Sequence, residues 1–220
     1  MTALDANPDD IAAPEVAAAP VVGPLAGDPS ILGLGSFIVG SVALGLALVG
    51  VVPVGVLGAP LAIILAATAL GLLMATVWCA ALGQSAVAAV FGIFGTFWLS
   101  YAVLVLGLDH NWFAITATAV LATVKLFLVS WLVAIIMLTL GTLRLPSAFT
   151  AVFVLVDLAL LLLLIAYASA SAAGVPSTGL LKVAGYVVLI FAAIGVYLFT
   201  SAAATGTGGK PLPLGKPLMK

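Results

Sequence analysis

Between residues 31 and 203 the chain holds six apolar stretches, each near the length that crosses hydrocarbon as a helix, with hardly a charge among them. A span needs roughly 20 apolar residues, and lipid offers no water to backbone groups, so stretches of this kind become helices. With 65% hydrophobic and 6% charged residues, a water-soluble fold would lack the polar surface to cover itself. The expected fold is therefore all-α: a polytopic membrane protein with six transmembrane helices, placed at about 31–52, 61–81, 86–108, within 113–143, 147–168 and 181–203. Together they fill one domain over 28–204.

Residues 1–27 are rich in Ala, Pro and Asp, carry Asp5, Asp9, Asp10 and Glu15 without a Lys or Arg, and read as a disordered tail. They lack the positive start and apolar core of a secretory signal. Residues 205–220 read as a second, cytoplasmic tail bearing Lys210, Lys216 and Lys220. With both ends inside, Arg144 and those lysines face the cytoplasm and only Lys182 lies outside, so the positive-inside bias places both termini there. The expected location is the cell membrane, with lipid as a partner. A net charge of −1 without any basic patch argues against nucleic acid. Cys79 is the single cysteine, so one chain can build neither a disulfide nor a thiolate metal site. No His, Asp and Glu cluster has metal-ligand spacing, and no phosphate-cradling GxxxxGKS/T occurs. Asp109 and His110 have no third group to orient them, so no cofactor, metal or enzymatic activity is expected.

The stretch 83–102, GQSAVAAVFGIFGTFWLSYA, carries the most information about function. Gly92, Gly95, Thr96, Leu99, Ser100 and Val103 recur at steps of three and four and share one helical face, with Phe91, Phe94, Phe97 and Trp98 on the adjoining arcs. Small and hydroxyl residues beside large rings suit the wall of a pore that rings can narrow. They suit equally the close contact of two helices in lipid. Two ionisable residues lie well inside spans. Lys125, about a third of the way along the fourth, either meets a pathway or snorkels to the nearer surface. Asp157 stands near the middle of the fifth, where an unpaired carboxylate costs about 2.5–3.5 kcal/mol. It reads as a proton carrier or polar pore residue, or else as a protonated acid bonded between helices.

Four places, in order along the chain, resemble the acetate and succinate uptake transporters, the YaaH-like family of six-span proteins. From Asp28 to Phe37 the run DPSILGLGSF is similar to the family signature NPAPLGLxGF. Gly83, Gln84 and Ser85, with FGIFGTFWLSYA from Phe91 onward, are similar to GNTFGATAFSSYGxFWLSFA. Trp131 with LGTLR from Leu140 is similar to the end of the fourth span. KVAGY from Lys182 is close to KAGGY, and LPLG from Leu212 is close to the family's tail. The resemblance implies a transporter or channel for small monocarboxylates such as acetate, and for succinate, coupled to protons and assembled as a homohexamer with one pathway per subunit. It implies a pore constriction at Phe37, Phe94 and Val156 and an entrance motif that includes Asp28, Pro29, Leu32 and Gly33. Gln84, Thr96 and Ser100, together with the ionisable Lys125 and Asp157, are the candidates for lining the pathway or moving protons.

Some positions depart from the family pattern. Its signature asparagine is Asp28 here, its second proline Ile31, its third-span tyrosine Phe94, and an acidic residue late in the second span is Cys79. Lys125 and Asp157 stand where the family has small or neutral residues. A negative charge at the entrance repels an anion, and an apolar constriction passes one only when the rings move or the acid crosses neutral. Two other functions fit the same chain: a non-transporting scaffold subunit whose small residues only pack helices, and a transporter of another small solute.

Overall fold

The computed structural model describes residues 25–52 and 58–219; 1–24, most of the expected N-terminal tail, lie outside the described residues. Among the described residues, six helices are long and apolar enough to span a membrane. They are α1 Ser30–Val49, α2 Leu61–Ala81, α3 Ser85–Asp109, α4 Val120–Gly141, α5 Ser147–Ala168 and α6 Thr178–Gly206. The chain is a multi-pass membrane protein.

Local chemistry sets the helix ends. Gly50 takes φ 95° and turns its N–H back to Ala47 O, so α1 stops at Val49, short of the expected residue 52. Pro60 and Pro146 stand directly before α2 and α5, where a missing N–H breaks no helical bond. Within α2, residues Ile64–Ala69 widen into a π-helical turn, which brings Ile64, Thr68 and Ala69 into the interior together. The loop before α4 is irregular, so that helix begins later than the residues from 113 allowed, while α6 runs past the expected 203 to Gly206.

Around the bundle α1 packs on α2 and α6, α2 on α3, and α5 on both α4 and α6. The α3–α4 seam has the sparsest backbone contact of these neighbours. Rings fill it: Phe97 of α3 meets Trp131 of α4 edge-on at 5.3 Å between centroids and Phe127 at 6.0 Å. The seams of α1 with α2 and α6, and of α2 with α3, close at small residues. A Cβ on Gly71 would collide with Ser36, and one on Gly40 with Thr68, so α1 and α2 approach too closely for side chains there. On the opposite flank of α1, a Cβ at Gly185 would stand 2.8 Å from Leu48 Cβ and 3.0 Å from the Val49 backbone nitrogen.

Of the residues expected as a cytoplasmic tail, 205 and 206 end α6, and 212–219 run back along the bundle. Tyr197 donates its hydroxyl to Pro213 O at 2.8 Å, and Leu212 N donates to buried Ser201 Oγ at 3.0 Å. Leu214 O accepts from Ala148 N at 3.0 Å, a first-turn donor of α5 that no side chain caps. Leu143 O, in the α4–α5 turn, accepts from Leu218 N and Met219 N at 3.0 and 2.9 Å. Gly215 adopts φ 83° against Ser147, a turn that a side chain would obstruct. The LPLG sequence is thus a strap tying α6 to the α4–α5 turn.

Gly185→Ala should cost about 1–3 kcal/mol, because backbone and a Cβ, not flexible tips, meet the added methyl. Gly179→Ala, where nothing lies within 4 Å of the new Cβ, should leave stability unchanged or raise it. Thermal melting of the two variants in detergent, side by side, checks the pair.

Candidate functional site

Two cavities lie in line through the bundle. The outer one, about 500 Å³, is walled by the start of α1 (Asp28, Ser30, Leu34, Phe37), the start of α3 (Gln84, Val87, Val90, Phe91, Phe94) and the α4–α5 turn (Thr142, Leu145, Phe149, Phe153). Asp28 and Gln84 are exposed, so this cavity opens at the face of the bundle that carries the first turn of α1 and the strap. The inner one, about 30 Å³, lies deeper, between Leu44, Phe97, Trp98, Val156, Leu163, Val188 and Phe191. Phe37 and Phe94 belong to both walls and part the two spaces.

The parting layer is aromatic and continuous. Phe37 and Phe94 stand edge to face with centroids 5.1 Å apart. Phe191 of α6 stacks on Phe37 at 5.6 Å, and Phe153 of α5 meets Phe94 edge-on at 5.5 Å. All four rings are at most 6% exposed. Edge-to-face pairs add about 0.5–1.5 kcal/mol beyond their burial, so opening the layer means breaking favourable contacts, not merely displacing loose side chains.

The expected constriction residues Phe37, Phe94 and Val156 do converge, all three on the inner cavity. Phe153 and Phe191 complete the layer and were not anticipated. Phe153 could have been suspected, since it falls one helical turn before Val156 and Asp157; Phe191 gives no sign in its own apolar surroundings. Of the entrance motif, Asp28 lines the outer cavity, and its Oδ1 accepts from Ser30 N at 2.9 Å and Ser30 Oγ at 2.5 Å, capping α1. Pro29 is buried at the helix start, and Leu32 packs against the core. Gly33 leaves the room that the Phe91 ring occupies in the cavity wall.

Other candidates lie elsewhere. Thr96 is exposed and its hydroxyl bonds back to Gly92 O and Ile93 O, both at 3.0 Å; Ser100 Oγ bonds to Phe97 O at 2.9 Å. Neither lines a cavity. The glycine stripe between them packs on α2 instead: Cβ atoms at Gly92 and Gly95 would meet Thr76 and Leu73 at 3.1 Å. The face expected as pore wall is thus the helix-packing face, and the ring-bearing arc lines the path. Lys125 lies half-buried on α4, away from both cavities. Asp157 also lies off both; its Oδ2 accepts from Thr139 Oγ1 at 2.7 Å across the α4–α5 seam, and Oδ1 is buried with no partner among the described residues. Lys125 and Asp157 therefore make no hydrogen bond to one another.

Six spanning helices, two adjoining cavities and a ring layer between them define a polytopic membrane bundle whose interior is divided by aromatic side chains. The sequence pattern of the GPR1/FUN34/yaaH family matches residues 12–208, and the chain belongs to that family. Among solved structures it is similar to one described as the bacterial acetate channel SatP, with a TM-score of 0.73 and 24% identity, covering 86% of this chain and 99% of that one. At this identity the likeness establishes the shared fold. No curated protein matches the chain.

Asp28→Asn keeps the cap, because asparagine serves that position as well as aspartate, and removes a charge from the outer cavity. Uptake of a small anion should rise about two- to fivefold at low ionic strength, as a charge a few ångströms from the path in water repels by under about 1 kcal/mol. The gain should shrink at 0.5 M salt, on the order of a 4 Å screening length.

Proposed function

We propose that this protein is a membrane transporter or channel for small monocarboxylates such as acetate. Membership of the GPR1/FUN34/yaaH family and a fold shared with a protein described as an acetate channel support the substrate class. One observation carries the mechanism: the layer between the cavities is built from Phe37, Phe94, Phe153 and Phe191 and offers no ion partner. A carboxylate entering it would shed water and gain no counter-charge, whereas the neutral acid crosses at far lower cost. The acid then carries its own proton, and inward flux follows an inward proton gradient without a titrating side chain in the path. The inner space, about 30 Å³ at rest, favours acetate over the longer succinate.

The finer features of the reading are a homohexamer with one path per subunit and both termini in the cytoplasm. Exposed apolar residues along α2 and α4, including Leu70, Met74, Val77, Val133 and Met137, offer surface for neighbouring copies or lipid. Arg144 and Lys216 sit at the outer-cavity end with the strap, and Lys182 at the opposite end, which supports a cytoplasmic outer cavity.

Labelled acetate uptake into proteoliposomes tests the proposal. At fixed total acetate, protein-dependent uptake should climb by up to about tenfold per unit of external pH lowered from 7 toward 5, following the neutral fraction of a carboxyl group. Phe94→Ala should raise the flux. A scaffold subunit would show no flux above empty vesicles in either form, and competition by urea or ammonium in place of acetate would indicate another solute. Asp157→Asn should keep the gradient dependence, since Asp157 lies off the path; loss of that dependence would return the proton to Asp157.

A further inference from the structure

The inner cavity is lined by aliphatic and aromatic side chains. Trp98 of α3 is the one residue there whose side chain carries a polar atom, its indole Nε1–H. The residue is 2% exposed, and Nε1 has no acceptor among the described residues. Packing does not explain the choice of an indole: Phe97 and Tyr101 hold the ring by edge contacts, centroids 5.2 and 6.5 Å away, that a phenyl ring could also make. Trp78, on α2, behaves in the usual way and donates to Leu25 O at 2.8 Å. A buried donor left unbonded destabilises the resting protein, and its presence calls for a reason beyond packing.

We infer that Trp98 Nε1–H is the hydrogen-bond donor that holds the carboxyl group on the inner-cavity side of Phe37 and Phe94. The inference rests on the carboxylate reading above and adds to it a binding group beyond the ring layer. A carboxyl oxygen accepts this bond whether the acid is neutral or ionised, so the site works on either form. It also sets specificity: a small cation such as ammonium has no acceptor to offer and gains nothing there. At rest the cavity has room for about one or two waters. The rings must therefore swing aside as the substrate arrives, and the bond to Trp98 offsets part of their lost contact.

Trp98→Phe removes the donor and keeps a ring. In proteoliposomes the acetate concentration for half-maximal uptake should rise about tenfold, the loss expected of one hydrogen bond to a carboxyl group. The ligand-free variant in detergent should melt no lower than wild type, since an unbonded donor has gone. A second readout does not depend on that variant folding. With 15N-indole-labelled protein, and Trp78→Phe, Trp112→Phe and Trp131→Phe assigning the other indoles, the remaining Trp98 N–H resonance should move downfield as acetate is added. A resonance that stays fixed at acetate concentrations saturating wild-type uptake, or a Trp98→Phe protein with wild-type half-saturation, overturns the inference and leaves the carboxylate reading intact. Absence of acetate uptake by folded wild-type protein overturns both.

Discussion

Inside hydrocarbon an apolar side chain gains little by touching another helix instead of lipid, so helices choose their neighbours where backbones can come close. In this bundle that choice is made chiefly on α1. One flank meets α2 at Gly40 and at Gly71, the other meets α6 at Gly45 and Gly185, and no flank could tolerate a methyl without displacing Thr68, Ser36, Leu189 or Leu48. Held from both sides, α1 cannot roll, and Phe37 is fixed between Phe94 and Phe191. The ring layer inherits its geometry from contacts made by residues that have no side chains of their own. At the α3–α4 seam, where backbone contact is sparsest, aromatic rings span the gap.

The two cavities differ in a way that orders events along the path. The outer one is wide, wet at Asp28 and Gln84, and walled deeper in by Phe91, Phe149 and Phe153. Its hydroxyls are already engaged: Thr142 Oγ1 donates to Thr139 O at 2.7 Å, and Ser30 Oγ donates to Asp28 Oδ1 at 2.5 Å. A substrate descending it loses water gradually and finds little to bind. Selection is thereby concentrated at the ring layer and immediately beyond it, not at the mouth.

The spans were legible because lipid forces one answer: an apolar run of this length must be a helix. Their ends were less so. Gly50 closed α1 early through a backbone turn, whereas the apolar pattern itself ran on to residue 52. Phe37, Phe94 and Val156 were reached through the family resemblance, and the structure brings them together. Thr96 and Ser100 looked like pathway residues because they share a helical face with glycines beside large rings. Each hydroxyl finds a partner a turn back on its own helix, a bond that sequence spacing cannot distinguish from a free hydroxyl. Asp157 was conspicuous at once, yet its partner Thr139 sits on another helix, and the single bond between them depends on how α4 and α5 are rotated. Trp98 was visible only as one more ring. That its N–H lacks an acceptor is a property of the assembled bundle alone.

The strap closes the structure in an unusual order. The groups it secures, Leu143 O and Ala148 N, flank the α4–α5 turn, while the residues that secure them, 212–219, come after α6. During synthesis the hairpin of α4 and α5 therefore enters the bilayer with these backbone groups still unclaimed by protein. They are claimed only after the sixth span has been threaded. The strap is the last part of the chain to be made, so the bundle can adjust its helices until every span is in place.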